Sequence, residues 1–405
     1  MRLPGMGLNR KESILKYKLL FTALVLLLYL FGKNMPLYGI DLFAYVNRTL
    51  DTEALLIQAI SGDVFRCSVF ALGISPYMMA SILVQMVVAC RSADAKARIS
   101  PKKKNRISLE LTFIFALFQA LFRVRELSYA GTGYQLLLAQ VVSVAEMVAG
   151  AMIILWMADQ NKKYGVGGQT ALIFVNIMDG IAVLLTKCSP ESLVIPLVVS
   201  LIVVTLMVIL ENSEKRIPLQ RISIHNIYAD KNYLAIKLNP IGVMPVMFST
   251  AFFMLPQLLV NGLAWLFPGQ ETILWWQENL VLSKPLGVAV YIAVLYGLTI
   301  GFSRVFLNPS EITEQFLKSG DSLVGIHAGR DTKRYLSRNI TRISLFSATA
   351  LSLCLSVPMV MRLNGYMDES LTALPTSIMM LTGIWSNLYR ETLAIRDMDA
   401  YEPFI

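Results

Sequence analysis

The sequence predicts an all-α polytopic membrane protein with ten transmembrane helices, and three observations predict it. Of 405 residues, 55% are hydrophobic and only 16% charged, with a mean hydropathy of +0.58, too apolar for a soluble chain of this size. Windows with little or no charge recur along the chain at roughly the 20-residue length that crosses a bilayer as a helix. Basic residues gather between alternate windows, which is how loop charge sets membrane orientation.

The first window, 19 to 32 extending towards Ile40, follows Arg10, Lys11, Lys16 and Lys18 like the charged start of a signal peptide. No small-x-small cleavage site comes after it, so it reads as an uncleaved first helix. The second, 67 to 90, holds no charge but carries Gly73 and Pro76 where a spanning helix should be continuous. Windows at 108 to 122, 135 to 158 around Glu146, and 164 to 186 around Asp179 complete a first group of five. The second group comprises 192 to 210, 238 to 270, 285 to 303, 343 to 361 and 370 to 389. An even count puts both termini on one side. Assigning that side to the cytoplasm places most of the 36 Lys and Arg inside, as the positive-inside rule expects. The same bias accounts for most of the net charge of +9 without a specific nucleic-acid partner.

Dividing the chain near Cys188, into 1–188 and 189–405, exposes an internal match. Gly73-Ile74-Ser75-Pro76-Tyr77-Met78 and Gly242-Val243-Met244-Pro245-Val246-Met247 both read G-x-x-P-x-M, each in the second helix of its half. Five helices per half is odd, so the halves would be inverted. Gly/Pro interruptions at matching positions of inverted halves point to a substrate path. Irregular backbone at membrane depth survives only when buried in protein or facing a watery cavity. The two segments therefore line a passage, or they are proline kinks healed by neighbouring helices. Neither carries a charge; Ile74, Met78, Met244 and Met247 surround the interruptions. Apolar constrictions gate by excluding water, and methionine packs against many shapes, which suits a large and variable passenger better than one small ion. Glu146 and Asp179 are the candidates for proton carriage, or are paired structural acids.

On the outer side, Leu55, Leu56, Ile57, Ala59 and Ile60 in "ALLIQAISGDVFRC" form a short amphipathic helix that Ser61-Gly62 ends. It would lie on lipid or fold back to stopper the passage. Two cytoplasmic loops, 211–237 and 304–342, exceed ordinary connectors and are rich in Lys and Arg. They would dock an acidic partner or simply set topology; Lys102-Lys103-Lys104 fits the second role. No Walker-type nucleotide motif occurs and the two histidines, His225 and His327, are far apart. Cys67, Cys90, Cys188 and Cys354 show no metal or redox spacing. The sequence therefore predicts no enzyme and no cofactor; any uphill work needs a separate energy source.

"VFALGISPYMMASI" (69–82), "KYGVGG" (163–168), "EKRIPLQ" (214–220), "NYLAIKLNPIGVMPVMF" (232–248) and "SGDSLVGIHAGRDTKRYLSRNITRIS" (319–344) occur in that order, and with them the chain resembles SecY, the channel subunit of the Sec protein translocase. The resemblance implies two inverted five-helix halves closing as a clamshell around a pore. It implies a hydrophobic ring of Ile74, Met78, Ile173, Met247 and Met380, the last resting on "PTSIMML" alone. A plug at about 54–66 would carry Leu55, Leu56, Ile57 and Ile60. A lateral gate would place Gln85 and Gln119 on its seam. Arg216, Arg221, His327, Arg330, Lys333 and Arg334 would dock a SecA-like cytosolic ATPase. Small SecE-like and SecG-like membrane subunits would complete the assembly, and a secreted preprotein would be the cargo.

Where the family usually has Arg-Pro, this chain has His327-Ala328. A permanently charged fork is thus replaced by a side chain with a reference pKa of about 6.5. One residue is missing near the start of the fifth helix, bringing Gln169 towards a ring position usually apolar. Such divergence is similar to the accessory SecY of certain Gram-positive bacteria, which implies export of glycosylated, serine-rich adhesins. A ten-helix secondary transporter for a small solute is the alternative.

Overall fold

A computed structural model describes residues 13–41, 67–89, 100–187, 192–221, 232–267, 269–368 and 370–400. The chain forms two compact units, Met1–Cys188 together with Ile384–Ile405, and Ser189–Gly383.

In the first unit, α1 (Ser13–Lys33), α2 (Ser75–Ala89), α3 (Pro101–Glu126), α4 (Tyr134–Tyr164) and α5 (Gly168–Lys187) follow the first five windows in order. Packing runs α2 on α3, α3 on α4, and α4 and α1 on α5. Leu20, Leu24, Leu27 and Phe31 leave one face of α1 exposed and oily, whereas Val25 and Tyr29 are buried. An apolar outer face with polar groups turned inward suits lipid as solvent. Ser143, Asn161 and Asn176 are accordingly buried among helices. Asn161 accepts from the Thr22 hydroxyl at 2.8 Å and donates to the carbonyls of Val166 and Gly168 at 3.0 and 2.9 Å. One amide side chain thereby holds the turn between α4 and α5 against α1. The glycines of "KYGVGG" allow this approach; a Cβ on Gly165 would collide with Asn161 and Thr22.

In the second unit, α6 (Val194–Asn212) leads to β1 (Glu214–Arg221) and β2 (Tyr233–Lys237). Next come α7 (Met244–Leu266), α8 (Glu271–Asn279), α9 (Pro285–Phe306), α10 (Pro309–Ser319), β3 (Asp321–Leu323) and α11 (Arg330–Leu363). A 3₁₀ turn, Ser370–Thr372, precedes α12 (Ala373–Ala400), whose later part belongs to the first unit. Helix α11 packs on α9 and α6, and α7 on α9. The hydroxyls of Thr250 and Tyr291 share a 3.2 Å bond, and Ser347 donates to Asn239 at 3.0 Å, so buried polar groups of this unit are also satisfied internally.

Each of the ten windows contains one long helix, and six of these meet strict length and apolarity criteria for spanning a membrane among the described residues. Three expectations change. The second window is not a helix from 67 onward; residues 67–74 are turns and α2 begins only at Ser75. The region 304–342 is not a loop but α10, β3 and the first turns of α11. Lys102-Lys103-Lys104 belong to the first turn of α3 rather than to a connector. At 34 residues α11 is about 51 Å long, well beyond the roughly 30 Å hydrocarbon core, so it must project from the membrane.

Candidate functional site

The two G-x-x-P-x-M motifs fold alike. Gly73 and Gly242 both have positive φ, 54° and 67°, a backbone state that glycine adopts without steric cost. Each is followed after one residue by a helix whose second residue is proline, Pro76 in α2 and Pro245 in α7. Proline is tolerated there because the amide it lacks would have no partner in the helix. The motif is therefore a helix start, not a kink. Its preceding backbone is paired and covered. Val69 N donates to Met35 O, Ala71 N to Ser68 O and Gly73 N to Phe70 O, at 2.9 to 3.0 Å. Gly150 of α4 and Gly32 of α1 make room for Val69 and the Phe70 ring, since a Cβ at either would overlap them. Gly383 of α12 does the same for Val243.

Ile74, Met78 and Ile173 in the first unit and Met247 and Met380 in the second are each no more than 5% exposed. Sequence reasoning missed Val243, 1% exposed, which stands in α7 where Ile74 stands in α2, directly after the left-handed glycine. The repeated motif was the signal that could have found it.

Gln119 of α3 is buried, its amide nitrogen 3.3 Å from the Met79 sulfur and 3.5 Å from the Ser75 hydroxyl, both on α2. Gln85 is half-buried on α2. The segment 54–66, with Leu55, Leu56, Ile57 and Ile60, lies outside the described residues.

Neither intramembrane acid is solitary. Lys33 of α1, 1% exposed, donates to Asp179 at 2.7 Å and to the Asn176 carbonyl oxygen at 3.2 Å, and the Tyr29 hydroxyl donates to that same oxygen at 2.7 Å. Glu146 accepts from the Tyr38 backbone amide at 3.0 Å.

The second unit gathers most of the predicted docking residues onto one folded platform. β1 is the centre of an antiparallel sheet ordered β2-β1-β3, with Arg216 opposite Ala235 and Arg221 opposite Asp321. Beneath it, Ile217, Ile236 and Leu323 pack on Leu336, Ile340 and Ile343 of α11. The Arg216 guanidinium lies 4.7 Å from the Tyr233 ring centre and donates to Glu214 at 2.7 Å, a bond that holds its pKa above the ordinary arginine value. Lys215 donates to Asn339 of α11 at 2.6 Å, tying sheet to helix. His327 is exposed in the turn after β3, where its carbonyl accepts from Thr332 at 2.9 Å. Arg330, Lys333 and Arg334 are exposed in the first turns of α11. Cations at a helix N-terminus oppose the macrodipole by about 0.3–1 kcal/mol each. Stability of the helix thus does not explain them.

The SecY family model matches residues 68–389. Accessory Sec system protein translocase subunits SecY2 are similar over nearly the whole length. That of Leuconostoc gelidum subsp. gasicomitatum is 27% identical, covering 98% of this chain and 99% of its own. That of Streptococcus agalactiae serotype III is 28% identical, covering 96% of each. Among solved structures, a protein-conducting channel shares the fold with a TM-score of 0.69 at 17% identity, over 98% of this chain and 96% of its own. Sec61 in the canine ribosome–channel complex does so at 0.63 and 16%, with the same coverage. The family match takes in both left-handed glycines and the basic platform, so the chain belongs to the SecY family, the protein-conducting channel subunits of Sec translocases.

Proposed function

We propose that this chain is the central channel subunit of an accessory Sec translocase in a bacterial cytoplasmic membrane, with both termini cytoplasmic, passing unfolded serine-rich glycoprotein adhesins outward. The observation that carries the reading is the pair of charge-free helix starts at Gly73 and Gly242, each followed by buried apolar side chains. A polypeptide of varied sequence needs a collar that excludes water without binding any one residue type. Ile74, Met78, Ile173, Met247 and Met380 are the proposed collar, 54–66 the proposed plug, and Gln85 and Gln119 polar markers of the proposed lateral gate.

Energy would come from a SecA-like ATPase on the basic platform of Arg216, Arg221, His327, Arg330, Lys333 and Arg334. Exposed cations set against the α11 macrodipole support that role, and the accessory names of the relatives support a dedicated motor. Small SecE-like and SecG-like subunits would complete the assembly. Pairing of Asp179 with Lys33 speaks against that acid as a proton carrier and so against a solute transporter.

The test is reconstitution with motor and preprotein, for the native chain and for Arg330→Glu/Lys333→Glu/Arg334→Glu. The reading expects ATP-dependent protein passage, with motor binding and passage lost in the variant while membrane insertion persists. Gradient-driven solute uptake without a motor would overturn it, and normal export by the variant would return those charges to topology alone.

A further inference from the structure

A recess of about 290 Å³ lies between α1 and α4, lined by Tyr17, Phe21, Leu24, Val25, Leu28, Trp156, Met157, Gln160 and Tyr164. Its chemistry changes from end to end. The residues towards the start of α1 and the end of α4, Tyr17, Gln160 and Tyr164, carry polar tips, whereas Leu24, Val25 and Leu28 are aliphatic. Cations collect at the polar end. Lys16 and Lys18 bracket Tyr17 in α1, and Lys163 lies 4.9 Å over the Tyr164 ring, which meets Phe21 edge-on at 5.7 Å. Lys162 is offset by Asp159, within electrostatic reach of it; Asp159 also faces Tyr77 of α2. Lysine and tyrosine at one end of an oily slot between spanning helices are the elements that hold a lipid headgroup at the membrane interface.

We infer that the α1–α4 groove is a binding site for one anionic phospholipid. Its phosphate meets Lys18 and Lys163, and one acyl chain lies along Leu24, Leu28 and Trp156. Size favours a chain over a helix: a single helical turn, roughly 10 Å across and 5.4 Å long, fills on the order of 400 Å³ and cannot enter the recess. Charge favours an anionic headgroup over a zwitterionic one. This site is independent of the motor platform, which lies in the other unit.

Trp156 in the groove wall supplies the probe. The full chain would be reconstituted into phosphatidylcholine vesicles containing either phosphatidylglycerol or phosphatidylcholine with brominated chains, and tryptophan quenching titrated. The native chain is expected to be quenched at lower phosphatidylglycerol content, and the difference should vanish in Trp156→Phe. Each lysine contributes roughly fivefold to the preference, so Lys16→Gln/Lys18→Gln/Lys163→Gln should bring the two lipids to within about twofold. These exposed substitutions leave the packing intact, and monodisperse gel filtration checks that they do. Equal quenching by both lipids in the native chain would overturn the inference. So would a preference that survives the triple substitution, or loss of quenching when a single-helix partner subunit is added, which would give the groove to protein.

Discussion

Removing one partner of the Lys33–Asp179 pair should cost unequally depending on which is removed. The Lys33 side chain is 1% exposed and that of Asp179 24%. Asp179→Ala strands an ammonium with the Asn176 carbonyl oxygen as its remaining printed acceptor, at 3.2 Å and already shared with Tyr29. Breaking a buried pair this way costs about 3–5 kcal/mol. Lys33→Met instead leaves a carboxylate that water still reaches, and methionine restores most of the lost packing, so about 1–3 kcal/mol is expected. Replacing both, Lys33→Met/Asp179→Leu, removes the desolvation burden together with the attraction and should fall within about 1 kcal/mol of the native chain. The assay is a double-mutant cycle of denaturation in detergent, followed by helical circular dichroism and by tryptophan fluorescence. Equal single costs, or a double variant as damaged as the sum of the singles, would refute the reasoning and remove the pair as the link between α1 and α5.

Gly73→Ala and Gly242→Ala should each destabilise by about 1–2 kcal/mol, the cost of a left-handed residue bearing a Cβ, measured in the same denaturation assay. Ser75→Ala, two residues on in a right-handed helix, is the control and should show less than half of that. Deleting 54–66 should raise resting ion conductance of the purified channel in planar bilayers; unchanged conductance would leave the proposed collar as the sole seal.

Legibility followed the range of each interaction. Hydrophobic windows are a local property, so the ten helices and their order could be read directly. The passage at 67–90 shows the limit. Gly73 and Pro76 were visible as a break, yet a break looks the same in sequence whether the helix kinks or has not begun. Only the Gly73–Phe70 backbone bond and the room left by Gly32 and Gly150 decide for a late start. The loop at 304–342 was misread because charge hides amphipathic packing: Leu323, Leu336 and Ile340 form a core only once β3 meets α11.

By itself the sequence determined a membrane chain of ten apolar helices, the repeated G-x-x-P-x-M start, and the run of cations from Arg330 to Arg334. Membrane solvent imposes the first two through backbone hydrogen bonding, which every span must satisfy within itself or its neighbours. What only the tertiary structure decided are the pairings between residues far apart in the chain: Lys33 with Asp179, Thr22 with Asn161, Arg216 with Tyr233. Such contacts depend on which helix faces meet. A hydrophobic window carries no record of that, because lipid and protein are equally apolar partners for its outer surface.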